Sequence, residues 1–386
     1  MTLIDTKKET NIQTFTHARR HLPTEGEKQN HNTRMQCLNK FLISTTSLFS
    51  ANRSPNSRNN SPTFQPRNRT HKNYHNPEVH DDNDSEIAPT KRIPLPPNVK
   101  TITSTSNPFV KHCVKLRQSS SYRHFHGLVL VVGTTPIREI YNFHQVWSNR
   151  PIIECLFVLD NCRVPEEIDD KAVRVVHVNS EVIRKISGVQ SVDSVEVIAL
   201  VRIPSTFHIV SNNLHEEDCH TFFSFPQRIL VLDGIQDPGN LGTLVRSATA
   251  FRWDGVFLLP GCCDPFNDKA LRACRGACFQ MPIVSGNWRH IETLRQEFQL
   301  KMLAGHPAMS DDPNPVMKLS KDFADSVADS PLCLVLGSEG AGLSDFSRNA
   351  CELVTIPMAG EFESLNVSVA GGIFMYMLQH ENNKPV

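Results

Sequence analysis

The chain has 386 residues with 40 Lys+Arg, 40 Asp+Glu and 11 cysteines, a length that favours two domains, or two plus a tail. A formal net charge of +0 excludes an overall field steering the protein to nucleic acid or membrane, so any such binding must come from local patches. Cysteines scattered from Cys37 to Cys351 without a compact framework suit a reduced compartment better than a secreted disulfide scaffold, and no run of about 18 apolar residues predicts a membrane span.

Residues 1–100 read as a disordered tail. Asn, Ser, Pro and Arg are common, apolar residues are sparse and no period of 2 or 3.6 persists. Between Met35 and Pro77 there is no Asp or Glu, whereas Lys40, Arg53, Arg58, Arg67, Arg69 and Lys72 supply positive charge. A basic, Ser-rich, acid-poor stretch is the signature of an organellar transit peptide, the alternative being an ordinary disordered tail. The first reading is favoured and places the protein in a chloroplast or mitochondrion, the second in the cytoplasm. Asp5, Glu9, Glu25 and Glu27 precede the stretch, so Met1 and Met35 both stand as starts.

Residues 106–204 predict a small α/β domain. Asn107-Pro108 opens a helix as N-cap and first residue. Along it Val110 and Val114 mark one face and Lys111 and Lys115 another, with Arg117 nearby and Tyr122-Arg123 following. A basic helix is usually a solvated face. At the entry to a compact domain, contact with RNA phosphates by Lys111, Lys115, Arg117 and Arg123 is the functional alternative. Strands are expected at 128–133, 156–160, 173–178 and 195–201, with helices around 136–144 and 180–186. Residues 205–227 read as an interdomain linker; its run His215–His220 fits no standard zinc spacing and reads as a solvated loop.

Residues 228–386 predict a second α/β domain, a mostly parallel sheet flanked by helices. Its strands are expected at 228–234, 255–260, 301–305, 332–337 and 352–357, and its helices at 240–251, 267–279, 290–299 and 364–380. Three clusters in it carry chemistry. In the first, a strand turns through Asp237-Pro238-Gly239-Asn240 into a helix that Asn240 could cap, and Gly242 permits close approach of a backbone or ligand. Arg246 is the lone charge of that helix, which is expected to be buried. It must then meet a carboxylate, a phosphate or a subunit boundary. In the second cluster, Gly337, Gly340 and Gly342 follow an apolar strand, with Glu339 placed either to cap local amides or to hold a cation such as Arg246. In the third, Ser364 and Asn366 start a nearly all-apolar helix, Ser364 as a candidate N-cap. Gly371-Gly372 invites close packing, and a dimer interface would bury the helix. Cys274 and Cys278 fall on the helix expected after the second strand and read as small packing residues rather than as a metal site with Cys262 and Cys263.

Each cluster alone has a structural reading as turn, loop or buried helix. The ordered set Asn240-x-Gly242-x-x-x-Arg246, Gly337-x-Glu339-x-x-Gly342-Leu343, and Ile356-Pro357-Met358 with Ser364-Leu365-Asn366-Val367-Ser368 resembles the SpoU family of RNA 2′-O-methyltransferases. The stretch 106–133 resembles that family's substrate-binding domain, with one departure: Val132 stands where many relatives place an acidic residue. The resemblance implies a trefoil-knotted C-terminal domain, an exception to unknotted topology, in a homodimer that binds S-adenosylmethionine. It implies Gly337, Ile356 and Leu365 at the cofactor, and Asn240, Arg246, Glu339, Ser364 and Asn366 at the target ribose of an rRNA or tRNA. Since arginine keeps its proton at neutral pH, the expected role of Arg246 is to hold a phosphate and steady a developing alkoxide, with Glu339 orienting it. No metal or membrane is implied. Two rivals are a non-catalytic RNA-binding protein that retains the knotted fold and a dinucleotide-dependent oxidoreductase; the latter needs a G-x-G-x-x-G turn that is missing.

Overall fold

A computed structural model describes residues 99–147, 152–168, 173–189, 195–210, 221–307, 315–360 and 363–380. The tail to residue 98, with its transit-peptide reading, and the run His215–His220 lie outside the described residues.

The first sheet contains β1 (Thr101–Ile102), β2 (Leu128–Val132), β3 (Ile153–Leu159), β4 (Arg174–Val178) and β5 (Val197–Arg202) in the order β1-β4-β3-β5-β2. β3 and β4 are parallel, whereas β5 runs antiparallel to both β3 and β2. The helices are α1 (Pro108–Gln118), α2 (Ser120–His126), α3 (Thr134–Trp147) and α4 (Ser180–Ser187). The Asn107 side chain accepts from the Phe109 amide at 2.8 Å and so caps α1, as its sequence predicts. The buried side of α1 is Phe109, Val110, Cys113 and Leu116, the i, i+3, i+4 spacing of one helical face.

The second sheet has eight strands: β6 (Phe207–Ile209), β7 (Arg228–Asp233), β8 (Gly255–Leu258), β9 (Ile283–Ser285), β10 (Lys301–Gly305), β11 (Val316–Lys318), β12 (Leu332–Gly337) and β13 (Glu352–Thr355). Their order is β11-β13-β10-β12-β7-β8-β9-β6, and every pairing is parallel. β7 and β12 are buried almost throughout, which is why they read as continuous apolar runs rather than alternating ones. The helices are α5 (Pro238–Ala250), α6 (Asp268–Cys274), α7 (Trp288–Phe298), α8 (Lys321–Ser326), α9 (Asp345–Ala350) and α10 (Val367–Met377).

Several expectations need correction. The stretch read as a linker contributes β6, which pairs with β9 at the sheet edge; a three-residue strand inside a polar segment leaves no periodic signal. β1 lies ahead of residue 106 and pairs with β4. The single helix expected over 267–279 is broken, because Arg275 and Gly276 take left-handed backbone (φ 51 and 96) before a 3-10 turn at Ala277–Phe279. Cys274 and Cys278 are buried in the core on either side of that break.

One apolar core joins the sheets. Val129, Ile137 and Ile140 belong to it together with Phe266, Ala270 and Phe279. A polar clasp closes the same junction: Asp264 accepts from Arg123 at 3.1 and 2.5 Å and from the Ser120 hydroxyl at 2.6 Å, with His124 at 3.4 Å. Arg123 also donates to the carbonyls of Leu116 and Arg117, each at 2.9 Å. Burial pushes the Asp264 carboxyl up, but hydrogen bonds from His124 and Ser120 and the Arg123 charge outweigh it and hold the group well below the usual carboxylate range. His124 stacks on Phe207, tying α2 to β6.

Candidate active site

Four strands end together at the site. In the register of the sheet Gly337 of β12 faces Asp233 of β7, and β10 and β13 lie on the other side of β12. The carboxyl ends of β10, β12 and β13 open into a pocket floored by Val367, Ala370 and Phe374 of α10. Open parallel sheets bind ligands beyond their carboxyl ends. The three residues expected at a cofactor, Gly337, Ile356 and Leu365, all line this pocket, as do Glu339 and Ser364.

The glycine loop doubles back on itself. Ser338 and Gly342 exchange backbone hydrogen bonds at 3.0 and 2.9 Å, and the Ala341 amide donates to the Ser338 hydroxyl at 3.1 Å. A Cβ on Gly337 would overlap the Gly342 carbonyl, so only glycine permits this turn. Asp233, at the end of β7, anchors the far side by accepting from the Ser344 amide at 2.9 Å and from the Ser347 hydroxyl. Asp233 drew no attention as a site residue in the sequence; its cue is a carboxylate ending an apolar strand.

Glu339, Asn366 and Asn240 meet at the rim. The Asn366 amide donates to Glu339 and to the Asn240 side-chain oxygen, the latter at 3.2 Å, and the Val367 amide donates to Glu339 at 3.3 Å. Asn366 rather than Ser364 caps α10, accepting from the Ser368 amide at 2.9 Å; Ser364 is exposed in the preceding loop. Asn240 is likewise not a cap. Asp237 caps α5 and accepts from the Asn240 amide at 2.8 Å, which leaves the Asn240 side chain free to face Asn366.

Arg246 departs most from expectation. It is exposed, not buried, and neither hydrogen-bonds nor ion-pairs with the Glu339–Asn366 cluster. The cause is helical geometry. α5 buries Leu241, Gly242, Leu244, Val245 and Ala248, and six residues at about 100° each turn Arg246 roughly 120° around the axis from Asn240. Gly242 serves helix packing, since a Cβ there would overlap the Ala270 carbonyl of α6. Gly371 does the same where α10 meets Leu244.

The four residues expected to contact RNA separate into two pairs. Lys111 and Lys115 are exposed. Arg123 is 3% exposed and committed to Asp264, and Arg117 packs its guanidinium against Gly188 at the end of α4. Arg123 is therefore committed to the fold, whereas Arg117 is half-buried. Pocket residues missed in the sequence are Gly305, His306 and Thr355, which end strands with no recognisable motif.

An all-parallel sheet with a glycine-turned pocket beyond its strand ends is the arrangement in which open α/β sheets bind nucleotide-type ligands. Residues 227–376 match the SpoU rRNA Methylase family model. The 23S rRNA (guanosine(2553)-2′-O)-methyltransferase RlmP of Bacillus subtilis (strain 168) is 28% identical over 287 residues, 73% of this chain and 100% of its own length. An uncharacterized tRNA/rRNA methyltransferase of Synechocystis sp. is 28% identical over 285 residues, covering 73% of this chain and 94% of that protein. An AdoMet-bound rRNA methyltransferase from Sinorhizobium meliloti shares the fold, with a TM-score of 0.56, 23% identity, and 72% and 97% of the two chains covered.

Proposed function

We propose that the protein transfers a methyl group from S-adenosylmethionine to a ribose 2′-oxygen in structured rRNA or tRNA. The observation that carries this reading is the meeting of Glu339, Asn366 and Asn240, drawn from three separate stretches of sequence, at the mouth of the pocket that Gly337, Ile356 and Leu365 line. The residues fit the cofactor: Leu336, Ile356, Leu365 and Phe374 give apolar walls for a purine, and the folded-back glycine loop brings backbone against it. The name of the Bacillus relative supports the 2′-oxygen as target.

When bound, the cofactor supplies a methyl group already activated on a sulfonium. The chain must therefore align the ribose oxygen and assist loss of its proton. Glu339 holds Asn366 and the first amide of α10, so the rim presents fixed polar groups. Arg246, exposed and positively charged, is suited to an RNA phosphate and to a developing alkoxide. Its turn away from Asn240 within one chain supports a homodimer in which α5 and α10 lie at the interface. Val369, Ile373 and Tyr376 of α10 are exposed apolar or aromatic side chains there, with Tyr376 against Phe251. The threaded C-terminal segment belongs to the same reading. It is supported by the return of α10 to the start of the sheet, where Trp253 donates to Met375 at 3.3 Å and Arg228 to Leu378 at 2.6 Å. The acid-free, basic stretch from Met35 to Pro77 supports an organellar site of action.

The test is Arg246→Ala, assayed for methyl transfer to RNA and, by calorimetry, for S-adenosylmethionine binding. Transfer should be abolished and cofactor affinity retained. Near-wild-type turnover would remove Arg246 from the mechanism, and a wild-type protein that binds RNA without transferring methyl would point to a non-catalytic RNA-binding protein.

A further inference from the structure

We propose that the α1–α2 corner seats an unpaired RNA base on the ring of Phe125, with Lys111 and Lys115 taking the flanking phosphates. The inference rests on the RNA reading above and adds a mode of recognition to it, stacking on a loop or bulge rather than contact with duplex backbone alone.

Phe125 is 58% exposed in a helix whose other aromatic and charged side chains are committed. Ser120, Arg123 and His124 face Asp264, and Tyr122 and His126 face α1. The Phe125 ring cannot turn inward, because those contacts fix the rotation of α2. It heads a file of rings instead: Phe125 to His126 at 5.0 Å, His126 to Tyr122 at 4.2 Å and His126 to His112 at 4.9 Å. Tyr122 and His112 share a hydrogen bond at 2.8 Å, and the Lys115 ammonium sits 5.7 Å from the Tyr122 ring centre. The result is an exposed Phe125 ring braced by a packed file of rings that has the Lys115 ammonium at its other end; exposed aromatic rings near cations hold bases of single-stranded nucleic acid.

Charge selects the occupant. No Asp or Glu occurs from residue 87 to 138; Arg123 is neutralised by Asp264 and Arg138 by Glu167, which leaves Lys111 and Lys115 as the exposed cations of α1. Glu154, which acts electrostatically on His112, is itself bound by Arg202 at 2.8 Å. Burial and the neighbouring His126 push His112 down to about 4, and burial lowers His126. At neutral pH the two rings are therefore uncharged stacking partners and the lysines carry the positive charge. Lysine is depleted at protein–protein interfaces, so an exposed aromatic ring on a corner that also exposes Lys111 and Lys115 favours an anionic polymer of flat bases over a protein partner.

The test compares two RNAs of equal charge at one salt concentration, a hairpin with 2-aminopurine in its loop and a blunt duplex, each titrated with the full chain. Phe125→Ala should weaken hairpin binding about tenfold and abolish quenching of the 2-aminopurine, leaving duplex affinity and S-adenosylmethionine binding unchanged. Phe125→Trp should restore the hairpin affinity. Lys111→Ala should weaken both RNAs and reduce the salt dependence. Hairpin affinity untouched by Phe125→Ala, or an equal loss on the duplex, would overturn the platform while leaving the RNA reading in place. A wild-type chain that binds neither RNA overturns both.

Discussion

Arg123 is expected at an RNA surface but is 3% exposed and bound to Asp264, and its replacement discriminates sharply between the two roles. Truncation to alanine deletes two hydrogen bonds to Asp264 and two to the carbonyls of Leu116 and Arg117. It leaves the Asp264 carboxylate, 11% exposed, with only Ser120 and His124 as side-chain partners. Breaking a buried ion pair from one side costs about 3–5 kcal/mol, because the surviving charge stays desolvated. Arg123→Ala should lower the free energy of chemical unfolding at pH 7 by about that much, followed by circular dichroism. Asp264→Ala should do similar damage, and the double variant should cost clearly less than the sum of the two. The pH dependence has a definite sign. The Asp264 carboxyl is held below its ordinary range, so its stabilisation is present above the unfolded-chain value, about 4, and is lost as pH falls through the folded value. The wild type should therefore lose stability below about pH 4 more steeply than Asp264→Ala. A loss under about 1 kcal/mol for Arg123→Ala, with RNA affinity reduced and the fold intact, would refute the structural assignment and return Arg123 to the RNA surface.

Two further outcomes are expected. Gly337→Ala forces a methyl group into the Gly342 carbonyl, so calorimetry should show cofactor binding lost while the cooperative unfolding transition persists; unchanged affinity would mean the loop opens at no cost. His112, lowered from 6.5 to about 4 chiefly by burial, binds a proton in the unfolded chain before it does in the folded one. Stability should thus be complete above pH 6.5 and decline toward pH 4, and His112→Gln should flatten that slope in thermal unfolding across the same window.

What was legible in the sequence, and what was not, follows from the range over which each signal acts. β7, β12 and α10 are buried on several sides, so their composition alone announces them, and the glycines at 337 and 342 mark a turn that tolerates little else. Asn366, Glu339 and Asn240 are legible as a set because each belongs to a motif, but their mutual contact is not. Of the two roles the sequence leaves open for Glu339, capping amides or holding Arg246, the structure shows it accepting from the Val367 amide and from Asn366. That choice depends on the rotation of α5 against α6, which Gly242 sets through a contact 28 positions away with Ala270. The Asp264 clasp is similarly invisible, since Ser120 and Asp264 are separated by 144 positions and neither lies in a periodic run. Arg123 and Lys111 look alike in the chain, as basic residues beside an amphipathic helix. Only the packing of α2 against the second sheet decides that one becomes an anchor and the other stays in water. The fold consumes Arg123 and leaves Lys111 and Lys115 in water, and that sorting of cations is set by tertiary packing that no local sequence signal carries.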